Sequence, residues 1–207
     1  MRFIEHSLES YHIESMMLAK MVDATGYKPD CIAYLARGSW QIGQACSEYF
    51  GVPLVELSAH RSGDSAKEQT HSLLAELPRP IKRYIRQLEI TFRLRIADSA
   101  GQKKTICITD RFLPPKEPKR ILLVDDSADT GASVRLGKGL LHTAYPSAKI
   151  KVAVANSFAP AREAGLIDWS LHEDCLTSTP MSKDNRDYER ACKAYAEFGH
   201  HESGGIV

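Results

Sequence analysis

Apolar and polar positions follow two different periods along this chain, and the changes of period mark its elements. Ile13, Met16, Met17 and Met21 recur at helical spacing until Gly26 and Pro29 interrupt them, which predicts an N-terminal helix over roughly 10–24. The apolar run Cys31 to Leu35 reads as a strand, "ARGSW" as a turn, a second helical pattern ends at Gly51, and "PLVELS" reads as another strand. These pieces make a βαβ unit. Ile121 to Val124 is too short for a helix and aliphatic throughout, as expected of a strand buried on both faces of a parallel sheet. A helix over about 132–144, a strand over Lys149–Ala155, a last strand over Leu166–Leu171 and a terminal helix over Asn185–Phe198 follow. Strands alternating with helices predict an α/β fold with a doubly wound, mostly parallel sheet.

The stretch from about 59 to 119 breaks this alternation. Ile81, Tyr84, Ile85 and Leu88 line one helical face opposite Lys82, Arg83 and Arg86, and then Ile90, Phe92, Leu94 and Ile96 switch to period two. With "TICIT" (105–109) as the returning strand, 90–109 is predicted to be an antiparallel hairpin. Its tip, Ser99–Lys104, carries Lys103 and Lys104. The expectation is one domain over 1–207, with a helix-and-hairpin insertion at 59–119 and a small C-terminal hood with its helix at 156–207.

Composition narrows the function classes. A chain of 207 residues suits one domain and can bury roughly 70% of its unfolded surface. With 43% hydrophobic residues, 26% charged residues and a formal charge of +1, neither a disordered chain nor a general nucleic-acid surface is indicated. Glu5, Glu9, Glu14 and Lys20 interrupt the N-terminal apolar run, and nowhere do about 18 apolar residues follow one another, so neither a leader nor a membrane span is expected. Five cysteines, odd in number, far apart and without C-x-x-C spacing, fit a reducing cytoplasm.

The candidate chemistry lies in "RILLVDDSADTGAS", Arg120 to Ser133. Asp125 and Asp126 fall at the carboxyl end of a buried strand, where open α/β sheets place their ligands. A carboxylate buried there without partners costs several kcal/mol, on the order of the penalty for any unpaired charge. An acceptor-only pair suits a sugar diol or a hydrated cation. In "ADTGAS", between this strand and the next helix, backbone N–H groups and the helix N-terminus can converge on an anion. Gly131 permits close approach and positive φ, Thr130 and Ser133 offer hydroxyls, and Ala128 and Ala132 leave room for a phosphate. Acids beside an anion cup point to a sugar phosphate.

These residues resemble a known family. "ILLVDDSADTGAS" is similar to the signature of the type I phosphoribosyltransferases, which bind 5-phosphoribosyl 1-diphosphate and replace its diphosphate with a nitrogen base. The resemblance extends upstream to "PDCIAYLARGSWQIGQACSEYFGVPLVELSAHR", similar to that family's first strand, diphosphate loop, helix and second strand. It implies that Asp125 and Asp126 hold the ribose hydroxyls with magnesium nearby, and that Ala128, Asp129, Thr130, Gly131, Ala132 and Ser133 enclose the 5-phosphate. Ala36, Arg37, Gly38 and Ser39 would form the diphosphate loop, with Arg37 as its charged donor. Mg2+ would ride on the diphosphate without a dedicated protein cage. An aspartate at the offset of Asp129 resembles the 6-oxopurine members, where it exchanges a proton with the purine ring, so Asp129 is the expected catalytic residue. The implied role is purine salvage in a cytoplasmic homodimer acting on the ribosyl donor and a small-molecule acceptor. Phe158 and Trp169 lie near where that family stacks its base, and Lys103 and Lys104 are placed to close over the diphosphate. The segment 168–195 departs from the base-binding ends of purine-salvage enzymes. A donor-binding sensor without turnover, and a transferase with a non-nucleobase acceptor, therefore stay open.

Rival motifs fit less well. "ILLVDD" also resembles the start of response-regulator receiver domains, but too little chain follows Asp126 and "ADTGAS" would have no task there. "GASVRLGKG" has the wrong spacing for a Walker loop, with Gly139 where Ser or Thr is required. "HEDC", His172 to Cys175, reads as a polar strand end, since contiguous residues seldom all face one ion.

Overall fold

Ile121 and Leu123 enter one apolar layer while Leu122 and Val124 enter another, the pattern of a strand covered on both sides. The computed structural model, which describes residues 1–61, 104–113 and 115–198, places this strand at the centre of an α/β fold. In chain order the elements are β1 (Phe3–Glu5), α1 (Leu8–Ala24), β2 (Cys31–Leu35), α2 (Trp40–Phe50), β3 (Leu54–Arg61), β4 (Lys104–Ile108), β5 (Arg120–Ala128), α3 (Ala132–Ala144), β6 (Lys149–Ser157), α4 (Ala159–Glu163), β7 (Trp169–Glu173), β8 (Leu176–Ser178) and α5 (Tyr188–Glu197).

Six strands form the main sheet in the order β4-β3-β2-β5-β6-β7. Every neighbouring pair is parallel except β3 with β4, which are antiparallel. The chain winds outward from β2 to β3 on one side and from β5 through β6 to β7 on the other, so the direction reverses between β2 and β5. At that reversal the two strand ends diverge and leave a crevice at their carboxyl edge. Residues of α1, α2 and α5 pack on one face, and residues of α3 and α4 on the other.

Several expectations shift. Helix α1 starts at Leu8, capped by Ser7 and Ser10 in a reciprocal box. Its buried face is Tyr11, Ser15, Leu18, Ala19 and Val22, whereas Ile13, Met17 and Met21 of the apolar stripe are exposed. The small side chains of Ser15 and Ala19 let the helix sit close, and the bulkier stripe turns outward. The last strand of the sheet begins at Trp169 rather than Leu166, because Asp168 turns back to accept from the backbone N–H of Val152 at 2.8 Å. The terminal helix begins at Tyr188 rather than Asn185. Asn185 instead donates to the carbonyls of His6 (2.9 Å) and Ser178 (3.0 Å), and Asp187 accepts from the N–H of Leu8 at 2.9 Å.

The short elements β1, β8 and α4 escape the periodicity argument by length. β1 and β8 pair in parallel as a separate two-stranded sheet, Phe3 opposite Leu176, and join the two ends of the described chain. The returning strand of the expected hairpin is present as β4 and pairs with β3, Leu57 opposite Ile108 and Arg61 opposite Lys104. Lys104 is the first described residue of β4. The expected helix near 81–88, the strand near 90–96 and Lys103 lie outside the described residues. No helix among the described residues is long and apolar enough to cross a membrane.

Candidate functional site

Strand β5 outruns its neighbour. Its register with β2 ends at Tyr34 opposite Val124, whereas with β6 it continues to Ala128 opposite Ser157. Asp125 and the three residues after it therefore border the crevice on the side that β2 has left. The aliphatic run predicted the strand only to Val124, and its acids prove to be strand residues rather than loop residues.

Asp125 is buried and holds the backbone N–H of Asp126 at 2.9 Å. Burial, and then the neighbouring charge of Asp126, push its carboxyl well above the ordinary carboxylate range. Asp126 is half-buried. Asp129, also half-buried, accepts from the Ser127 hydroxyl at 3.2 Å. Such a group of acids stores electrostatic repulsion that a bound cation or hydroxyl donors can relieve.

The loop after β2 meets these acids directly. A Cβ on Gly38 would stand 2.4 Å from Oδ2 of Asp126, so any larger residue there must push that carboxylate aside. Around it the Ala36–Arg37 peptide is cis and the Ala36 N–H donates to Leu57 O at 2.9 Å. Arg37 is exposed, and its charge is felt at Tyr188 and Tyr195 of α5. Ser39 is wholly buried and its hydroxyl donates to Leu35 O, so this side chain holds the loop's shape rather than facing a ligand.

The loop after β5 closes the other side. Gly131, at φ 73°, is the N-cap of α3, and a Cβ there would lie 2.3 Å from Cδ1 of Leu166. The first N–H groups of such a helix have no intrahelical acceptor and face the loop, which suits an anion. Thr130 and Ser133 are half-buried and Ala132 is exposed, while Ala128 is buried and its carbonyl accepts from the N–H of Phe158 at 3.0 Å. The fold thus gathers Ala36–Ser39 and Asp125–Ser133 at one crevice.

Two expected base contacts are not in it. Trp169 opens β7 opposite Ala153, and its ring packs 5.6 Å from that of Tyr27, whose hydroxyl donates to the carbonyls of Ile121 and Lys149 at the amino edge of the sheet. The Trp169 backbone is level with Val124, two strands away, and the ring leans from there toward Tyr27, away from the acids. Phe158 is near the right end but only 2% exposed, so its ring belongs to the core. Lys104 is described only as the first residue of β4.

Other residues near the crevice gave little sequence signal. Tyr11 of α1 is buried, its hydroxyl has no hydrogen-bond partner among the described residues, and burial together with Asp126 and Asp125 raises its pKa well above the usual phenol value. Glu56 of β3 is buried and accepts from the hydroxyls of Tyr34 and Tyr195 (3.0 Å) and from Nε of Arg111 at 2.8 Å. Arg111 also donates to the carbonyls of Tyr195 (3.1 Å) and Phe198 (2.6 Å). This network ties α5 to the strand end that leads into Ala36. A lone glutamate within an apolar strand was its one sequence signal.

Known proteins share this architecture. A purine phosphoribosyltransferase from Pyrococcus horikoshii Ot3 is 19% identical, with a TM-score of 0.59 over 88% of this chain and 96% of that one. A xanthine-guanine-hypoxanthine phosphoribosyltransferase from Helicobacter pylori is 15% identical, with a TM-score of 0.60 over 93% and 99%. A hypothetical protein from Neisseria gonorrhoeae with bound ppGpp is also 15% identical, with a TM-score of 0.53 over 94% and 96%. Among curated proteins none matches the sequence significantly. The family model of the phosphoribosyl transferase domain matches residues 6–174. A match of that length, laid over strands β2 to β7 and both loops of the crevice, makes the chain a member of the phosphoribosyl transferase domain family.

Proposed function

We propose that the protein transfers the 5-phosphoribosyl group of 5-phosphoribosyl 1-diphosphate to a nitrogenous base, a 6-oxopurine in preference to others, and releases diphosphate. The observation that carries this reading is the contact between Gly38 and Asp126, which joins the loop after β2 to the acids of β5. Asp125 and Asp126 bind the ribose hydroxyls, and the loop from Ala128 to Ser133 with the start of α3 surrounds the 5-phosphate. The loop from Ala36 to Ser39 receives the diphosphate, with the exposed Arg37 as its cation. As diphosphate departs, positive charge grows on the ribose, and the acids beneath it stabilise that charge. Asp129 exchanges a proton with the acceptor ring as the new bond forms.

The acid pair fits magnesium: burial, and then the neighbouring charge of Asp126, raise the hold of the Asp125 carboxyl on a proton, and a cation could relieve the same charge. Magnesium would be held chiefly by diphosphate and water, with the acids beside it. When bound, magnesium neutralises the leaving diphosphate. A second reading takes the crevice as a regulatory site for a nucleotide that carries diphosphates. The ppGpp bound to the Neisseria protein favours including it.

The test is diphosphate release with magnesium, the ribosyl donor and a panel of acceptors covering the common bases, with ppGpp as competitor. Turnover with hypoxanthine, guanine or xanthine is expected. Asp129→Asn should lower it by about 10² to 10⁴ at saturating donor, while donor affinity stays near wild type. Wild-type turnover in this variant rejects the proton-transfer role. Absence of release with every acceptor, together with tight ppGpp binding, selects the regulatory reading.

A further inference from the structure

His6, between β1 and α1, Glu14 on α1 and His172 on β7 come from three separate elements and meet in one place. Oε2 of Glu14 lies 3.0 Å from Nε2 of His172 and 3.6 Å from Nδ1 of His6, and the three ligand atoms all lie within 4.8 Å of one another. We propose that these three side chains, none of them among the acids of the crevice, form a binding site for a divalent transition metal of the zinc type, independent of the transferase reading.

The spacing supports this. Ligand atoms about 2.0–2.1 Å from a tetrahedral zinc stand roughly 3.3 Å apart, and the two measured separations bracket that value. Two imidazoles and a carboxylate are a donor set that zinc accepts and magnesium does not favour. The His6 side chain is 3% exposed, and its Nδ1 faces Oε2 of Glu14 at 3.6 Å. Glu14 and His172 retain 23% and 21% exposure, which leaves a solvent side for entry and for a fourth, water ligand. The plain alternative is a hydrogen bond from His172 to Glu14 with His6 packed on Tyr11, ring centroids 5.2 Å apart.

Bound metal would fasten β7, an edge strand of the main sheet, to the start of α1 and through His6 to the two-stranded sheet. The site would act as a clip on the fold.

The experiment uses the full chain, stripped with chelator and titrated with zinc by calorimetry. One zinc per chain is expected, with a melting temperature higher by about 5–10 °C when zinc is a hundredfold above Kd. Loss of a mere outer partner of a ligand costs about 10–100-fold in affinity, so His172→Gln and Glu14→Gln should each weaken binding at least tenfold. Cobalt in place of zinc should give the visible absorption of a tetrahedral ion without thiolate charge-transfer bands. That reading holds even where a variant fails to fold by circular dichroism. Failure of the wild type to bind zinc overturns the proposal, as does unchanged affinity in both folded variants. Thiolate bands, or loss of binding on replacing the exposed Cys107, would assign the metal elsewhere and overturn it as well.

Discussion

Replacing Gly38 with alanine separates the geometry of the crevice from the stability of the fold. The added methyl would stand 2.4 Å from Oδ2 and 2.8 Å from Cγ of Asp126, where ordinary contact begins at 3.4 Å. About 1 Å must therefore open between the diphosphate loop and the acid that faces it. Gly38 does not have positive φ, so alanine is allowed by the backbone and even gains about 0.4–1 kcal/mol through the unfolded chain. A short carboxylate can swing aside cheaply, but it then leaves the position from which it would hold the ribose. In positioned catalysis, a displacement of about 1 Å costs on the order of 10²-fold. Gly38→Ala should accordingly lower kcat/KM for the ribosyl donor by about 10²-fold, while the melting temperature stays within a few degrees of wild type. Steady-state kinetics, calorimetric donor affinity and thermal melting on the same samples check this. A folded variant with wild-type kcat/KM would refute the pairing of the two loops as one donor site.

Asp125→Asn should raise stability and lower donor affinity together. The folded carboxyl titrates above its ordinary value, so its contribution is favourable only at low pH and is lost as pH rises through the folded pKa. Asparagine removes that cost at neutral pH, a gain of about 0.5–2 kcal/mol, with roughly 2–4 °C in melting temperature per kcal/mol, while charge-assisted contacts worth about 1.5–3 kcal/mol to the ligand disappear. The gain should vanish below the ordinary carboxylate pKa of 3.8, and a lower melting temperature at pH 7 would contradict the reasoning. Glu56→Gln keeps shape but leaves Arg111 without its ion pair, for a loss of about 2–3 kcal/mol and roughly 4–12 °C. Unchanged melting would show that the network on Glu56 carries no stability.

The parts of this molecule legible in its sequence are those that short-range pattern dictates. Helix α3 runs over 132–144 as its periodicity predicts, bounded by a glycine whose positive φ starts it and by Tyr145 just before Pro146. The place of Asp125 and Asp126 near the carboxyl end of β5 was legible because the aliphatic run stops at Val124. Helix α1 shows where periodicity misleads. Two stripes on it have helical spacing, and only tertiary packing chooses the one with Ser15 and Ala19 over the one with Met17 and Met21. Trp169 was misplaced because its strand starts three residues later than the apolar run suggests, and its ring leans toward Tyr27, away from the acids. The pins made by Asn185 and Asp187 join positions far apart along the chain, and no local pattern records a partner at that distance.

The antiparallel pairing of β3 with β4 has a topological consequence. Arg61 and Lys104 are register partners, so the described parts of β3 and β4 end at a shared rung, on the side of β3 away from β2 and β5. The chain positions on either side of residues 62–103 are therefore held side by side by the pairing of β3 with β4. Closure entropy grows only with the logarithm of length, about 0.6 kcal/mol per doubling, so a change in the number of residues between two strands paired in this way costs the rest of the fold little. The crevice at β2 and β5 and the segment between β3 and β4 are attached to different strands. Evolution can rewrite one without disturbing the register of the other.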